Sequence, residues 1–93
     1  GSMRPFIGKD NYGISIKAEC LTVNDIKIGD FISFDGNRIF GREVSVAHQI
    51  IEIVNCSHDR NSLCYITKGT NNDVADGEVR FEEITSKIVI INY

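Results

Sequence analysis

The segment 43–54, EVSVAHQIIEIV, decides the fold because it is the longest stretch with the alternating pattern of a β-strand. Successive side chains of a strand point to opposite sides, so the segment has two faces. One face carries Val44, Val46, His48, Ile50, Glu52 and Val54. The other face carries Glu43, Ser45, Ala47, Gln49, Ile51 and Ile53. Both faces hold apolar side chains, which predicts a central strand that is covered on both sides.

Shorter strand patterns lie on either side of this segment. They are predicted at 13–20 (GISIKAEC), 31–34, 63–68 and 87–92. Turn formers separate them: Asp35-Gly36-Asn37 ends one strand, 58–62 is a polar hairpin loop, and 69–78 has no strand pattern. One helical turn is expected at 82–85, and no helix of useful length. The chain is therefore predicted to be all-β, with six or seven strands in a small antiparallel-rich β-barrel or folded sheet.

Length and composition limit the organisation and the function classes. A chain of 93 residues supports one hydrophobic core, so 1–93 is predicted to be a single domain. Its net charge is −3 and its basic residues do not cluster, which argues against an electrostatic nucleic-acid surface. No apolar stretch approaches the roughly 20 residues that span a bilayer. The interior is expected to include Ile32, Phe34, Val46, Ile50, Ile66 and Ile88.

Three cysteines cannot all pair within one chain, and Cys20 stands apart from the other two. The spacing of Cys56, His58 and Cys64 matches no zinc motif, so no metal site is expected there. Counting outward from the middle of the 58–62 loop places Cys56 opposite Cys64, at a distance that permits a disulfide. The sequence leaves both a disulfide and two reduced thiols open.

Four short motifs follow one another along the chain, and each of them alone is a weak signal. They are Ser2-Met3-Arg4-Pro5, Gly29-Asp30-Phe31-Ile32, Val46-Ala47-His48-Gln49, and Thr67-Lys68-Gly69-Thr70-Asn71-Asn72 with Asp76 after it. Taken together and in this order, they make the chain resemble signal peptidase I, in the branch found in archaea and in the endoplasmic reticulum. The matching motifs are spread over nearly the whole chain, and the resemblance implies a β-domain of the signal peptidase type.

This resemblance implies three catalytic residues. Ser2 would be the nucleophile, His48 its general base, and Asp76 the acid that orients the imidazole. The roles agree with general chemistry, because a serine hydroxyl needs an adjacent base at neutral pH and histidine titrates near neutrality. We expect Asp76 rather than Asp73 to approach His48, because Asp76 falls where the family has its later aspartate.

Two positions depart from the family's pattern. Thr70 stands where the family has Asp, and Gln49 stands where it has Arg. These changes favour an alternative function, that of a catalytically impaired signal-peptidase-like binding or assembly module. Ser2 is open in a second way, because Gly1-Ser2 is either native or a remnant of a cloning vector. A self-cleaving repressor-type protease is disfavoured, since it needs a lysine base where His48 stands.

The first expectation from the resemblance is a serine endopeptidase that removes signal peptides from exported preproteins. The substrate would bind in an extended form beside a strand edge, with small side chains next to the cleaved bond. The resemblance also implies a membrane-anchoring helix just before residue 1 and a catalytic domain on the extracytoplasmic face. The expected partners are preprotein signal peptides, and neither a cofactor nor a nucleic acid is expected.

Overall fold

A computed structural model describes residues 11–92, and the side chains of residues 12–91. Six strands form one antiparallel sheet, which confirms the all-β prediction. The strands are β1 (Asn11–Lys17), β2 (Phe31–Asp35), β3 (Ser45–Asn55), β4 (Leu63–Lys68), β5 (Glu78–Arg80) and β6 (Ile84–Asn92). Their order in the sheet is β1-β6-β2-β3-β4-β5, so β1 and β5 are its two edges.

The helical segments are short. They are the one-turn helix α1 (Asn37–Phe40) and three 3₁₀ turns, Ala18–Cys20, Val23–Asp25 and Phe81–Glu83. The first of these turns shortens the strand predicted at 13–20, because the amide of Leu21 donates to the carbonyl of Ala18 and the chain leaves the sheet after Lys17. Among residues 11–92, no helix has the length and apolar character needed to cross a membrane.

Strand β3 is the longest strand described and lies between β2 and β4, as its sequence pattern predicts. A bulge interrupts its pairing with β4, because Ile50 pairs with Thr67 whereas Glu52 pairs with Ile66. Ile51 is the extra residue, and 43% of its surface is exposed. The expectation that β3 is covered on both sides is therefore wrong for its second half.

The hydrophobic core lies on one face of the sheet. It consists of Ile26, Ile32, Phe34, Ile50, Tyr65, Val79 and Ile84, with Leu21, Ile39, Val46, Ile53 and Phe81 packed against it. Burying a side chain of this size stabilises the fold by about 1.5–3 kcal/mol. Burial also raises the pKa of Tyr65, whose hydroxyl has no hydrogen-bond partner within the described part of the chain.

Two of the six expected interior residues lie outside this core. Ile66 and Ile88 are half-buried, whereas the other four are members of the core or pack against it. Ile66 faces away because β4 directs Tyr65 and Thr67 inward, and Ile66 lies opposite the exposed Glu52. Prediction from β4 alone chose the wrong face, since both of its faces carry large side chains.

A charged clamp joins α1 to the 3₁₀ turn before β6. Nε of Arg38 lies 2.7 Å from Oε2 of Glu83, and Nη2 lies 2.7 Å from Oε1. Partial burial raises the pKa of Glu83, but hydrogen bonds from Arg38 and from the Arg80 amide, with the charges of both arginines, outweigh burial. The pKa of Glu83 is therefore below its ordinary value, and the clamp is ionised at neutral pH.

A disulfide joins Cys56 and Cys64, whose Cα atoms are 5.0 Å apart. The predicted register of the hairpin is wrong by two residues, because Val54 rather than Cys56 lies opposite Cys64. Cys56 follows the last residue of β3, and its amide donates to the carbonyl of Ser62 to close the loop. The disulfide therefore links the base of the 56–62 loop to the buried start of β4.

Candidate active site

The side chain of His48 lies at the edge of the core, on the face of β3 that carries Ile50. His48 pairs with Ile32 across the sheet, and its ring meets the ring of Phe34 edge-on with centroids 6.3 Å apart. Only 11% of the His48 side chain is exposed. The imidazole therefore packs against the Phe34 ring at the edge of the core.

Asp76 provides the polar partner of this ring. Its Oδ2 lies 2.6 Å from Nδ1 of His48, and 7% of the Asp76 side chain is exposed. With an ionised carboxylate as the acceptor, Nδ1 of the neutral ring is the donor, and this leaves the lone pair on Nε2. Within residues 11–92, Nε2 has no hydrogen-bond partner. The pair thus presents the ring as a base.

Thr67 holds Asp76 in this position. Its hydroxyl donates to Oδ2 of Asp76 at 2.7 Å, and its carbonyl accepts from the Asp76 amide at 2.7 Å. The Thr67 side chain is fully buried. Because Thr67 pairs with Ile50 on β3, two residues from His48, the sheet itself places the threonine beside the histidine.

Gly69 leaves the space that Nε2 of His48 occupies. A Cβ atom at this position would lie 2.8 Å from Nε2 and 2.9 Å from Nδ2 of Asn72, closer than real Cβ atoms approach. The φ angle of Gly69 is not positive, so the backbone conformation does not require glycine here. The close approach of His48 and Asn72 does. The two distances also limit the separation of Nε2 and the Asn72 amide nitrogen to about 5.7 Å at most. A hydrogen-bond donor thus lies beside the base.

The loop after β4 brings these groups together because it turns back at once. The amide of Asn72 donates to the carbonyl of Gly69, and the chain then returns so that Asp76 lies beside Thr67. Glycine, asparagine and aspartate, which dominate this loop, are the usual residues of such turns. Asp73 is exposed in the same loop.

The nearest lysine in the same cross-strand row is engaged elsewhere. Ile32 lies between His48 and Lys87 across the sheet. Nζ of Lys87 lies 3.2 Å from Oδ2 of Asp30 and donates to the carbonyl of Asp25 at 2.8 Å. The ammonium is therefore bound by a carboxylate and a carbonyl, on the far side of Ile32 from His48.

Of the three residues predicted for catalysis, the structure brings His48 and Asp76 together. Ser2 and its motif 2–5 lie outside the described residues. At the two positions that depart from the family's pattern, Gln49 donates from Nε2 to the carbonyl of Gly29 at 3.1 Å, and Thr70 is half-buried. Gln49 thus binds the loop before β2 rather than the histidine.

The sequence reasoning missed the roles of Thr67, Gly69 and Asn72 within the last motif. A signal for Thr67 existed, since it alternates with Tyr65 on β4 and a buried threonine needs a hydrogen-bond partner. The signal for the other two was absent, because their positions depend on how the loop returns.

Comparison of the chain with protein-family models, curated proteins and solved structures gave no match. Function is therefore inferred from the geometry around His48 and from the order of the sequence motifs.

Proposed function

We propose that this chain is the catalytic domain of a serine endopeptidase that removes signal peptides from exported preproteins. The observation that carries the proposal is the contact of 2.6 Å between Nδ1 of His48 and Oδ2 of Asp76. A carboxylate that fixes the tautomer of a histidine, with the other ring nitrogen free, is the base half of a serine protease triad. The motif around Ser2 supplies the candidate nucleophile.

The chemistry assigns one task to each group. Oγ of Ser2 bonds to the carbonyl carbon of the scissile peptide while its proton moves to Nε2 of His48. His48 then gives that proton to the leaving amine, and the peptide bond breaks. Water repeats the sequence on the acyl-enzyme ester, which releases the signal peptide and restores Ser2. Asp76 keeps the ring oriented and stabilises the imidazolium throughout.

The position of β5 supports an extended substrate. This edge strand begins at Glu78, two residues after Asp76, so an edge of the sheet starts next to the proposed site. Two of its main-chain groups, the Glu78 carbonyl and the Arg80 amide, are bonded to Arg38 and Glu83, and a bound substrate would replace these contacts. A peptide can add to such an edge through main-chain hydrogen bonds, with its side chains alternating toward and away from the protein. Small side chains beside the cleaved bond would then fit the crowded space around Gly69 and His48.

The disulfide supports a location on the extracytoplasmic face. Disulfides persist in oxidising compartments and are rare where thiols are kept reduced. The Cys56–Cys64 disulfide is thus consistent with a domain held outside the cytoplasm by a membrane anchor. An anchor would also restrain Ser2, which is one residue from the start of the present sequence.

The test is cleavage of a preprotein by the protein expressed from its full gene in detergent or lipid. Mass spectrometry of the products locates the cut. We expect Ser2→Ala and His48→Ala to abolish cleavage, and Asp76→Ala to slow it by about 10³–10⁴-fold, as expected when the histidine tautomer is no longer fixed. Asp73→Ala is the matched control, because this exposed acid of the same loop should leave the rate unchanged. Cleavage by the Ser2 and His48 variants at the parent rate would reject the proposal.

A second candidate function is a binding or assembly module without catalysis. Gln49 favours it, because its contact with the Gly29 carbonyl is structural and places no positive charge at His48. Such a module would bind a signal peptide without cleaving it, under the same detergent or lipid conditions as the cleavage assay. Binding measured by fluorescence anisotropy, with no product after long incubation, would select this candidate over the protease.

A further inference from the structure

A second cluster of chemically active side chains lies at the other end of β4. The ligand atoms of Cys56, His58 and Cys64 all lie within 4.8 Å of one another. Both cysteines are buried, whereas His58 is exposed. In the disulfide form the two sulfurs are bonded to each other, and only reduction would make both of them available as ligands.

The loop that carries the cluster is closed by hydrogen bonds that do not depend on the disulfide. The amide of Cys56 donates to the Ser62 carbonyl at 2.9 Å, and the Ser62 amide donates to the Asp59 carbonyl at 3.0 Å. The Asp59 carboxylate accepts from the Asn61 amide and from the Ser62 hydroxyl. Reduction would therefore leave both thiols near His58, because five residues of loop are already turned back.

Two carboxylates and a cavity lie close to the cluster. The Glu78 carboxylate accepts from the Ser57 amide and hydroxyl, and Asp59 follows His58 directly in the chain. A cavity of about 580 Å³, lined in part by Cys56, His58 and Arg80, opens at the cluster and admits water.

Small movements would bring the three ligand atoms to the spacing of tetrahedral zinc. Zinc bonds of about 2.3 Å to sulfur and about 2.0–2.1 Å to nitrogen place neighbouring ligand atoms about 3.5–3.8 Å apart. The sulfurs are 2.00 Å apart in the disulfide, so they would have to separate by about 1.8 Å after reduction, and the exposed His58 ring would have to approach by about 1 Å. A water molecule in the cavity would complete the set of four.

We propose that the reduced chain binds one Zn²⁺ through Cys56, His58 and Cys64. A pair of small thiols supplies two electrons and two protons, which convert the protein disulfide to two thiols while the donors become a disulfide. Zn²⁺ then displaces both thiol protons, and the His58 imidazole and a water fill the remaining positions. The spacing of Cys56, His58 and Cys64 in the sequence predicted a loop and no metal site. The proposed zinc site does not depend on the proposed peptidase activity.

The experiment uses the full chain with Cys20→Ser, so that Cys56 and Cys64 are its only thiols. The protein is reduced with a phosphine, which offers no thiolate, and titrated with Co²⁺ and then with Zn²⁺. We expect one metal ion per chain, a thiolate-to-cobalt charge-transfer band, and no binding by the disulfide form. His58→Gln should weaken binding at least about a hundredfold, because even an outer partner of a ligand contributes about 10–100-fold.

His48→Gln is the matched control, since the chain has only two histidines and this one lies at the other site. It should bind metal like the parent. Far-UV circular dichroism reports whether the reduced chain stays folded, and recovery of lost structure on adding Zn²⁺ would itself support the site. The proposal is overturned if reduced protein binds no metal, if His58→Gln binds as tightly as the parent, if one ion binds two chains, or if an unfolded reduced chain stays unfolded with Zn²⁺.

Discussion

Replacing Thr67 by valine tests the support of the candidate site with little change in shape. The substitution removes the hydroxyl that donates to Asp76 at 2.7 Å and puts a methyl group in a fully buried position. A hydrogen bond to a charged group contributes about 1.5–3 kcal/mol net. The added apolar group returns about 0.8 kcal/mol. We therefore expect Thr67→Val to lower the free energy of unfolding by about 1–2 kcal/mol.

A double-mutant cycle isolates this contact from the general cost of changing a core residue. With Asp76→Ala in the background, the Thr67 hydroxyl has lost its acceptor, so replacing it by valine should cost nothing or should stabilise the fold. The coupling energy between the two positions is then about 1.5–3 kcal/mol. Thr67→Ser, which keeps the hydroxyl, should retain the coupling with Asp76.

Urea denaturation followed by far-UV circular dichroism measures these free energies, with the disulfide intact in every variant. In thermal melts the single substitution should lower Tm by about 4–16 °C, because 1 kcal/mol corresponds to about 4–8 °C in a domain of this size. If Thr67→Val lowers the free energy of unfolding equally in the parent and in the Asp76→Ala variant, the contact between Thr67 and Asp76 does not stabilise the fold. In that case the account of how Asp76 is held beside His48 would be wrong.

Three further predictions follow from single contacts. Gly69→Ala should slow preprotein cleavage by about a hundredfold without loss of far-UV signal, because its Cβ displaces the His48 ring by about 1 Å; an unchanged rate would contradict the placement of Nε2. Tyr65→Phe should raise the free energy of unfolding by about 1–2 kcal/mol in urea, since it removes a buried hydroxyl without a partner in the described chain, and a loss of stability would reveal one. The parent should be more stable than Glu83→Gln, and this difference should be complete above the ordinary glutamate pKa of about 4.3. The difference should disappear as the pH falls through the lower pKa of Glu83 in the folded state, because protonation breaks its bond with Arg38. A difference in the free energy of unfolding that persists in acid would refute this origin.

The sequence predicted the fold where alternation is strong and local. The bounds predicted for β4 agree with the structure because a polar loop and Gly69 mark its two ends, and those predicted for β3 differ by one or two residues. Strand β5 was missed, since three residues with one buried Val79 carry too little pattern. The end of β1 at Lys17 was also missed, because a 3₁₀ turn continues the same alternation for three residues.

The site was predictable in part for a different reason. The motifs indicated that His48 and Asp76 belong together, although 28 residues separate them. No local pattern reports that Thr67 donates to the same oxygen or that Gly69 lies against the ring. Those contacts depend on the register of β3 against β4 and on the return of the loop after β4, which no local sequence pattern reports.

The bulge at Ile51 explains how the hairpin and the site are compatible. Residues directly opposite in antiparallel strands share a face, so Ile50 and Thr67 both point to the core, on the side of the bulge that carries His48. If the same residues paired regularly, without a bulge, Ile51 would lie opposite Ile66 and Glu52 opposite Tyr65, so Glu52 would face the core, where an unpaired charge is costly. The bulge instead places Glu52 opposite Ile66 on the outer face and brings Ile53 opposite Tyr65. The bulge therefore lets His48 and Ile50 face the core before Ile51, and lets Ile53 face the core after it.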